Sequence, residues 1–157
     1  MGKATVDPRR TSIFIDSCAF DPKYTPENGA AERLFQLYKD GEINLIVADS
    51  NMKELDHPNV PLAVKREATA KIFTKEVPLT MGERELQEKI LDVLAGKGKR
   101  KNMAQDAEHV FEAQKYGKFF VTADKGILKR KSELNKLCGV VVLLPSEMLR
   151  AMRDSVN

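Results

Sequence analysis

Four acidic side chains fall at or near the ends of apolar, strand-like runs. Asp16 follows "SIFI" and Asp124 follows "FFVTA". Glu54 stands one short helical stretch beyond "INLIVA", and Asp106 stands in the first turn of the segment leading into "FFVTA". Singly, each has an ordinary reading. Asp124 suits a helix N-cap, Asp106 the positive end of a helix dipole, Glu54 a solvated helix face and Asp16 a loop cap. Together they pose an electrostatic problem, because two carboxylates about 4 Å apart repel by roughly 4 kcal/mol at an effective dielectric near 20. A shared proton or a bound cation relieves it. Carboxylates with no thiolate pair or histidine beside them suit a hard, oxygen-preferring ion. Mg²⁺ or Mn²⁺ fits, with coordination positions left for water and phosphate.

The elements that must position these acids alternate in type. Ile13 to Ile15 read as a short strand. Thr25 reads as the cap of a helix with Pro26 at its first position, carrying Ala30, Leu34, Leu37 and Tyr38 and ending at Gly41. "INLIVA" (43–48) is apolar throughout, as in a strand covered on both faces. A short helix through "SNMKEL" stops at Pro58. A second helix starts at Pro61 with Val64, Ala68 and Ile72 on one face, and "VPL" (77–79) reads as a brief edge strand. Leu86, Ile90, Val93 and Leu94 mark another helix, closed by Gly96. After the loop "GKGKRKN" a helix runs from about Met103 to Tyr116. Then come a strand "FFVTA" (119–123), one helix over "GILKRKSELNKL", a strand "VVVLL" (140–144) and a terminal helix from Pro145. Strands separated by helices pair in parallel, so the expected class is a three-layer α/β/α sandwich around a central parallel sheet. In such folds ligands bind beyond the carboxyl ends of the strands.

The segments "SIFIDS", "SNMKEL", "DAEHVFEAQKYG" and "FFVTADKGILKR", in that order, resemble the four acidic blocks of PIN-domain nucleases. The resemblance spans residues 12 to about 145. It implies the strand order 3-2-1-4-5, with "VPL" at one edge and "VVVLL" at the other. It also implies Asp16, Glu54, Asp106 and Asp124 as the catalytic and metal-binding acids, with Thr122 as a supporting polar group. The implied activity is Mg²⁺- or Mn²⁺-dependent endoribonuclease hydrolysis leaving a 5′-phosphate and a 3′-hydroxyl. Toxin–antitoxin ribonucleases form one large branch of that family, so the resemblance leaves open a homodimer and an antitoxin-like protein partner. One departure is Cys18, where many relatives carry a small polar residue. Asp21 and Asp49 read as loop or cap residues.

Two basic clusters adjoin the acids: Lys97, Lys99, Arg100 and Lys101 before Asp106, and Lys125, Lys129, Arg130 and Lys131 after Asp124. Solvated faces are the common meaning of such runs. Next to candidate ligands they also suit an RNA backbone. His109 reads as a packed supporting residue and His57 as a helix-end residue. A phosphorylated receiver would need paired acids at the first tip. A haloacid-dehalogenase-like phosphatase would need a second Asp where Cys18 stands. The alternative with more weight is a PIN-like RNA-binding or assembly module without turnover.

The 157 residues suit a flexible, charged lead-in (1–10) followed by one domain (11–157). A net charge of +3 is too small to prove a nucleic-acid partner by itself. Cys18 and Cys138 read as free thiols of a reducing compartment. The N-terminal "MGKATVDPRR" has no apolar signal core and no run reaches membrane-spanning length, so the expectation is a cytoplasmic protein without a membrane partner.

Overall fold

The computed structural model describes residues 7–47 and 79–155. Its centre is a sheet of β1 (Ser12–Ile15), β2 (Asn44–Val47), β3 (Phe119–Val121) and β4 (Val141–Leu143). All pairs are parallel and the order is β2-β1-β3-β4. The helices are α1 (Glu27–Lys39), α2 (Met81–Ala95), α3 (Ala104–Tyr116), α4 (Lys125–Leu128), α5 (Lys131–Cys138) and α6 (Pro145–Ser155).

The apolar strands are explained by burial on both faces. Side chains alternate across a strand, so Ile13, Ile15, Leu45, Phe119 and Val121 pack with Ala31 and Leu34 of α1 and Met148 and Met152 of α6. Phe14, Phe120 and Val142 turn the other way, onto Ile90, Leu94, Val110, Phe111, Ile127 and Leu134 of α2 to α5. The α/β class and its helix-flanked parallel sheet are therefore as expected. The strand count is not: among the described residues the sheet has four strands, not five in the order 3-2-1-4-5. Of "VPL" only Leu79 is described, and it lies outside any strand. The expected helices through "SNMKEL" and from Pro61 fall outside the described residues.

Three local expectations are corrected. Thr25 does not cap α1. Its hydroxyl donates to the Pro22 carbonyl and closes the preceding turn, and Pro26 occupies the N-cap position without a side-chain bond. Glu27, in the first turn of α1, instead accepts from the backbone N–H and hydroxyl of Ser146 at 2.9 and 2.8 Å, tying the starts of α1 and α6 together. "GILKRKSELNKL" forms two helices, α4 and α5, separated at Lys129 and Arg130. The end of the lead-in is also docked: Pro8 is buried and Arg9 donates to the Met152 carbonyl at 3.0 Å.

Gly117, after α3, brings that helix end against the first residue of β1. A Cβ there would lie 2.3 Å from the Ser12 carbonyl oxygen. Backbone cannot rotate away as a side chain can, so Gly117→Ala is expected to cost about 1–3 kcal/mol, the usual range for overpacking. A fall of about 2–4 °C in melting temperature per kcal/mol would register it. An unchanged melting curve would show that the α3–β1 approach is looser than described.

Candidate active site at the strand tips

Register explains which groups meet. Ile15 pairs with both Val47 and Val121, and Val121 pairs with Leu143, so the four strands end level. The next residues of β1 and β3, Asp16 and Thr122, therefore lie side by side on the carboxyl rim. Two backbone bonds extend the ladder past the strands, Asp16 N–H to the Val121 carbonyl at 2.8 Å and Thr122 N–H to the Leu143 carbonyl at 3.0 Å. Both side chains are buried.

The Thr122 hydroxyl joins the two acidic tips. It donates to Asp16 Oδ2 at 3.1 Å and accepts from the backbone N–H of Asp124 at 3.1 Å. Cys18 Sγ lies 3.6 Å from the same oxygen. A hydroxyl has one proton and two lone pairs. The carboxylate takes the proton and the Asp124 N–H takes one lone pair, so the Cys18 S–H is the donor to the other. Burial pushes the Cys18 thiol pKa well up, and the neighbouring Asp16 charge adds to the rise. Cys18 is thus a protonated thiol whose hydrogen completes Thr122.

Both tip acids also act as caps. Asp16 Oδ1 accepts from Cys18 N–H at 3.4 Å at the start of the Ser17–Phe20 turn. Asp124 Oδ1 accepts from the N–H groups of Gly126 and Ile127 at 2.7 and 3.4 Å at the start of α4. Capping uses one oxygen of Asp124, and among the described residues no hydrogen bond reaches Oδ2. No lysine or arginine among the described residues pairs with either acid. Asp21 caps the Pro22–Tyr24 turn, as its cap reading anticipated.

Asp106 lies half-buried in the first turn of α3. His109, one turn further along, is fully buried, close enough to Asp16 to feel its charge. Glu54, Asp49 and His57 lie outside the described residues. Among the described residues no three His, Cys, Asp or Glu side chains are grouped to hold a metal, so Asp16, Asp106 and Asp124 do not by themselves close a three-ligand site. The donors present are hard carboxylate oxygens, which is the right chemistry for Mg²⁺ or Mn²⁺. Their number within the described residues falls short of a full protein cage, and Mg²⁺ ordinarily needs only one or two carboxylates plus water and phosphate.

Burial pushes the His109 pKa down, and the Asp16 carboxylate opposes this only in part. An imidazole held neutral in the fold gains a proton on unfolding below its ordinary pKa of about 6.5. Its stabilising contribution is full above that pH and is lost as pH falls toward the lower folded value. The urea midpoint should therefore drop between pH 7 and 5.5, and His109→Gln should flatten that drop. Equal slopes in the two proteins would contradict a neutral buried His109.

The basic residues divide into two groups. Arg100 is engaged by Glu88 and Asp92 of α2. The Arg130 guanidinium lies over Gly96, at the carboxyl end of α2, and pairs with Glu133 at 3.2 Å. A cation there complements the helix dipole. Lys97, Lys99, Lys101, Lys125, Lys129 and Lys131 are exposed and without ion pairs among the described residues.

No helix among the described residues is long and apolar enough to cross a membrane. Comparison of the chain with protein-family models, curated proteins and solved structures returns no match.

Proposed function

We propose that the chain is a divalent-cation-dependent endoribonuclease of the PIN-like kind, with its site at the carboxyl tips of β1 and β3. The observation that carries this reading is the buried Thr122 hydroxyl, which locks Asp16 and Asp124 together at the edge where parallel α/β sheets bind ligands. A structural cap needs neither the adjacent strand's acid nor a buried hydroxyl to align it.

In this reading Asp16, Asp106 and Asp124, with Glu54, hold Mg²⁺ or Mn²⁺. A bound cation of this type supplies an activated water and stabilises charge on the attacking and leaving oxygens of a phosphodiester. The chain's own work is positional. β1 and β3 fix the two carboxylates, Thr122 sets the rotation of Asp16, and His109 fills the space beneath without adding positive charge. The exposed lysines at 97, 99, 101, 125 and 129 draw the phosphate backbone toward an edge that its acids would otherwise repel. Arg100 and Arg130 shape the cationic surface from their places against α2.

Incubation of a mixed RNA pool with the protein in Mg²⁺, Mn²⁺ or EDTA tests the reading. Cleavage in either cation, none in EDTA, and 5′-phosphate ends are expected. RNA binding without cleavage in any cation would favour the non-catalytic RNA-binding module.

A further inference from the structure

The exposed lysines of the two basic clusters stand on one side of the acidic edge. Gly117 sets the end of α3 against Ser12, the first residue of β1. The start of α3 and the connection from α2 therefore lie at the carboxyl edge, and that connection carries Lys97, Lys99 and Lys101. Lys125 opens α4 directly after Asp124, and Lys129 and Lys131 flank the junction of α4 and α5. The two groups meet through Arg130: a Cβ on Gly96 would lie 2.5 Å from Arg130 Nη2. Ile90 and Leu94 of α2 share one core with Leu134 of α5 beneath them. Three acids on these helices are already engaged, Glu88 and Asp92 by Arg100, and Glu133 by Arg130 at 3.2 Å. The opposite layer is closed and acidic at the same edge. Glu27 accepts from the Ser146 N–H and hydroxyl, and Glu147 accepts from Leu144 N–H at 2.9 Å. Among the described residues Lys23, beside Asp21, is the one cation of that layer at this edge.

We propose that Lys97, Lys99, Lys101, Lys125, Lys129 and Lys131 form one continuous phosphate track. RNA reaches the tips of β1 and β3 along it, across the α2–α5 layer and not across α1 and α6. The inference rests on the nuclease reading only for the point where the track ends, and it adds the direction of approach and the footprint. A polyanion arriving over α1 and α6 meets Asp21, Glu27 and Glu147 before it meets Asp16. Over the α2–α5 layer it meets lysines as far as Lys125, the neighbour of Asp124. The two cation types divide the work. The planar guanidinium fork suits fixed pairing with carboxylates, so Arg100 and Arg130 anchor the backbone and cancel the local acids. The lysine ammonium groups are point charges on flexible stems, free to follow a phosphate backbone. Such contacts set position and carry no sequence information, so the track binds RNA without regard to its bases.

The test is fluorescence anisotropy of the full chain with a labelled single-stranded oligoribonucleotide, across a KCl series in EDTA, which suppresses cation-dependent cleavage. Each phosphate contact on a single strand adds about 0.7 to the slope of log affinity against log salt, so a track of six predicts about −4. The triple variant Lys97→Gln, Lys99→Gln, Lys101→Gln should make the slope shallower by about 2, and so should Lys125→Gln, Lys129→Gln, Lys131→Gln. Lys23→Gln with Arg150→Gln and Arg153→Gln removes three exposed charges from the α1–α6 layer and should leave the slope unchanged. One strand should bind per protein. The proposal is overturned if either lysine triple keeps the wild-type slope or if the α1–α6 variant loses as much as they do. Two strands per protein, or no binding by wild type, would also overturn it. Cleavage in Mn²⁺ reports on the nuclease reading separately. Track-dependent binding without cleavage leaves the track standing and removes the nuclease. Cleavage with a slope that no variant changes does the reverse.

Discussion

Asp124→Asn is expected to leave the protein folded and to lower RNA cleavage by about 10²–10³-fold, the scale seen when one charge-stabilising group is removed from an active site. The substitution separates the two roles of this side chain. As the N-cap of α4, Asp124 uses Oδ1 to accept from Gly126 and Ile127. Asparagine carries the same acceptor and ranks with aspartate as a cap, so the melting temperature should move by no more than about 2 °C. The negative charge is what disappears. Asp124→Ala removes cap and charge together and should cost about 1 kcal/mol besides the activity. If Asp124 were a cap alone, Asn would be silent in both assays. Parallel melting curves and cleavage rates for the three proteins read the difference.

Thr122→Val should be damaging in both assays, although its shape barely changes. Thr122 is fully buried and its hydroxyl serves three neighbours. Valine fills the same space but leaves the Asp124 N–H, the Cys18 thiol and a buried oxygen of Asp16 without their partner. Orphaning buried polar groups costs about 1–3 kcal/mol, with charged groups toward the upper end. At about 2–4 °C per kcal/mol, the melting temperature should fall by several degrees. Cleavage should fall as well, because Asp16 loses the bond that fixes its rotation. Thr122→Ser, which keeps the hydroxyl, should recover most of both. A valine variant with wild-type stability would mean that the hydroxyl network is incidental.

The acids at the strand ends were legible because the strands that precede them are. Three-residue apolar runs such as "IFI" and "FFV" announce burial on both faces, and the polar residue that breaks such a run marks the sheet's edge. That Asp16 and Thr122 are direct neighbours was not legible, since it depends on the register Ile15↔Val121. No single-strand pattern encodes a register between segments a hundred residues apart. The resemblance to PIN-like acidic blocks pointed to Thr122, but not to its bond with both tips or to the Cys18 thiol as its third partner.

Other features resisted reading for local reasons. Thr-Pro before an acidic first turn signals a helix start, but here Thr25 bonds backward to Pro22 and the helix begins at Glu27. "GILKRKSELNKL" holds no glycine or proline after its start, so nothing in composition forecasts the break at Lys129 and Arg130. Arg130 lies over the end of α2 there, a contact set by tertiary packing. Arg100 looked like one member of a cationic loop, yet Glu88 and Asp92 hold it from one helix. Charge runs show how many cations are present, and only the fold shows which are already engaged.

Thermal melting with and without Mn²⁺, comparing wild type with Asp16→Asn, tests the claim that the tips of β1 and β3 form a divalent-cation site. A cation that binds only the folded protein stabilises it by about 2.7 kcal/mol at 100 times its dissociation constant, which corresponds to roughly 5–10 °C for a chain of this size. Wild type should rise by that order in Mn²⁺ and return to baseline in EDTA, while Asp16→Asn should rise much less. Equal shifts in the two proteins, or no shift in wild type, would contradict the claim.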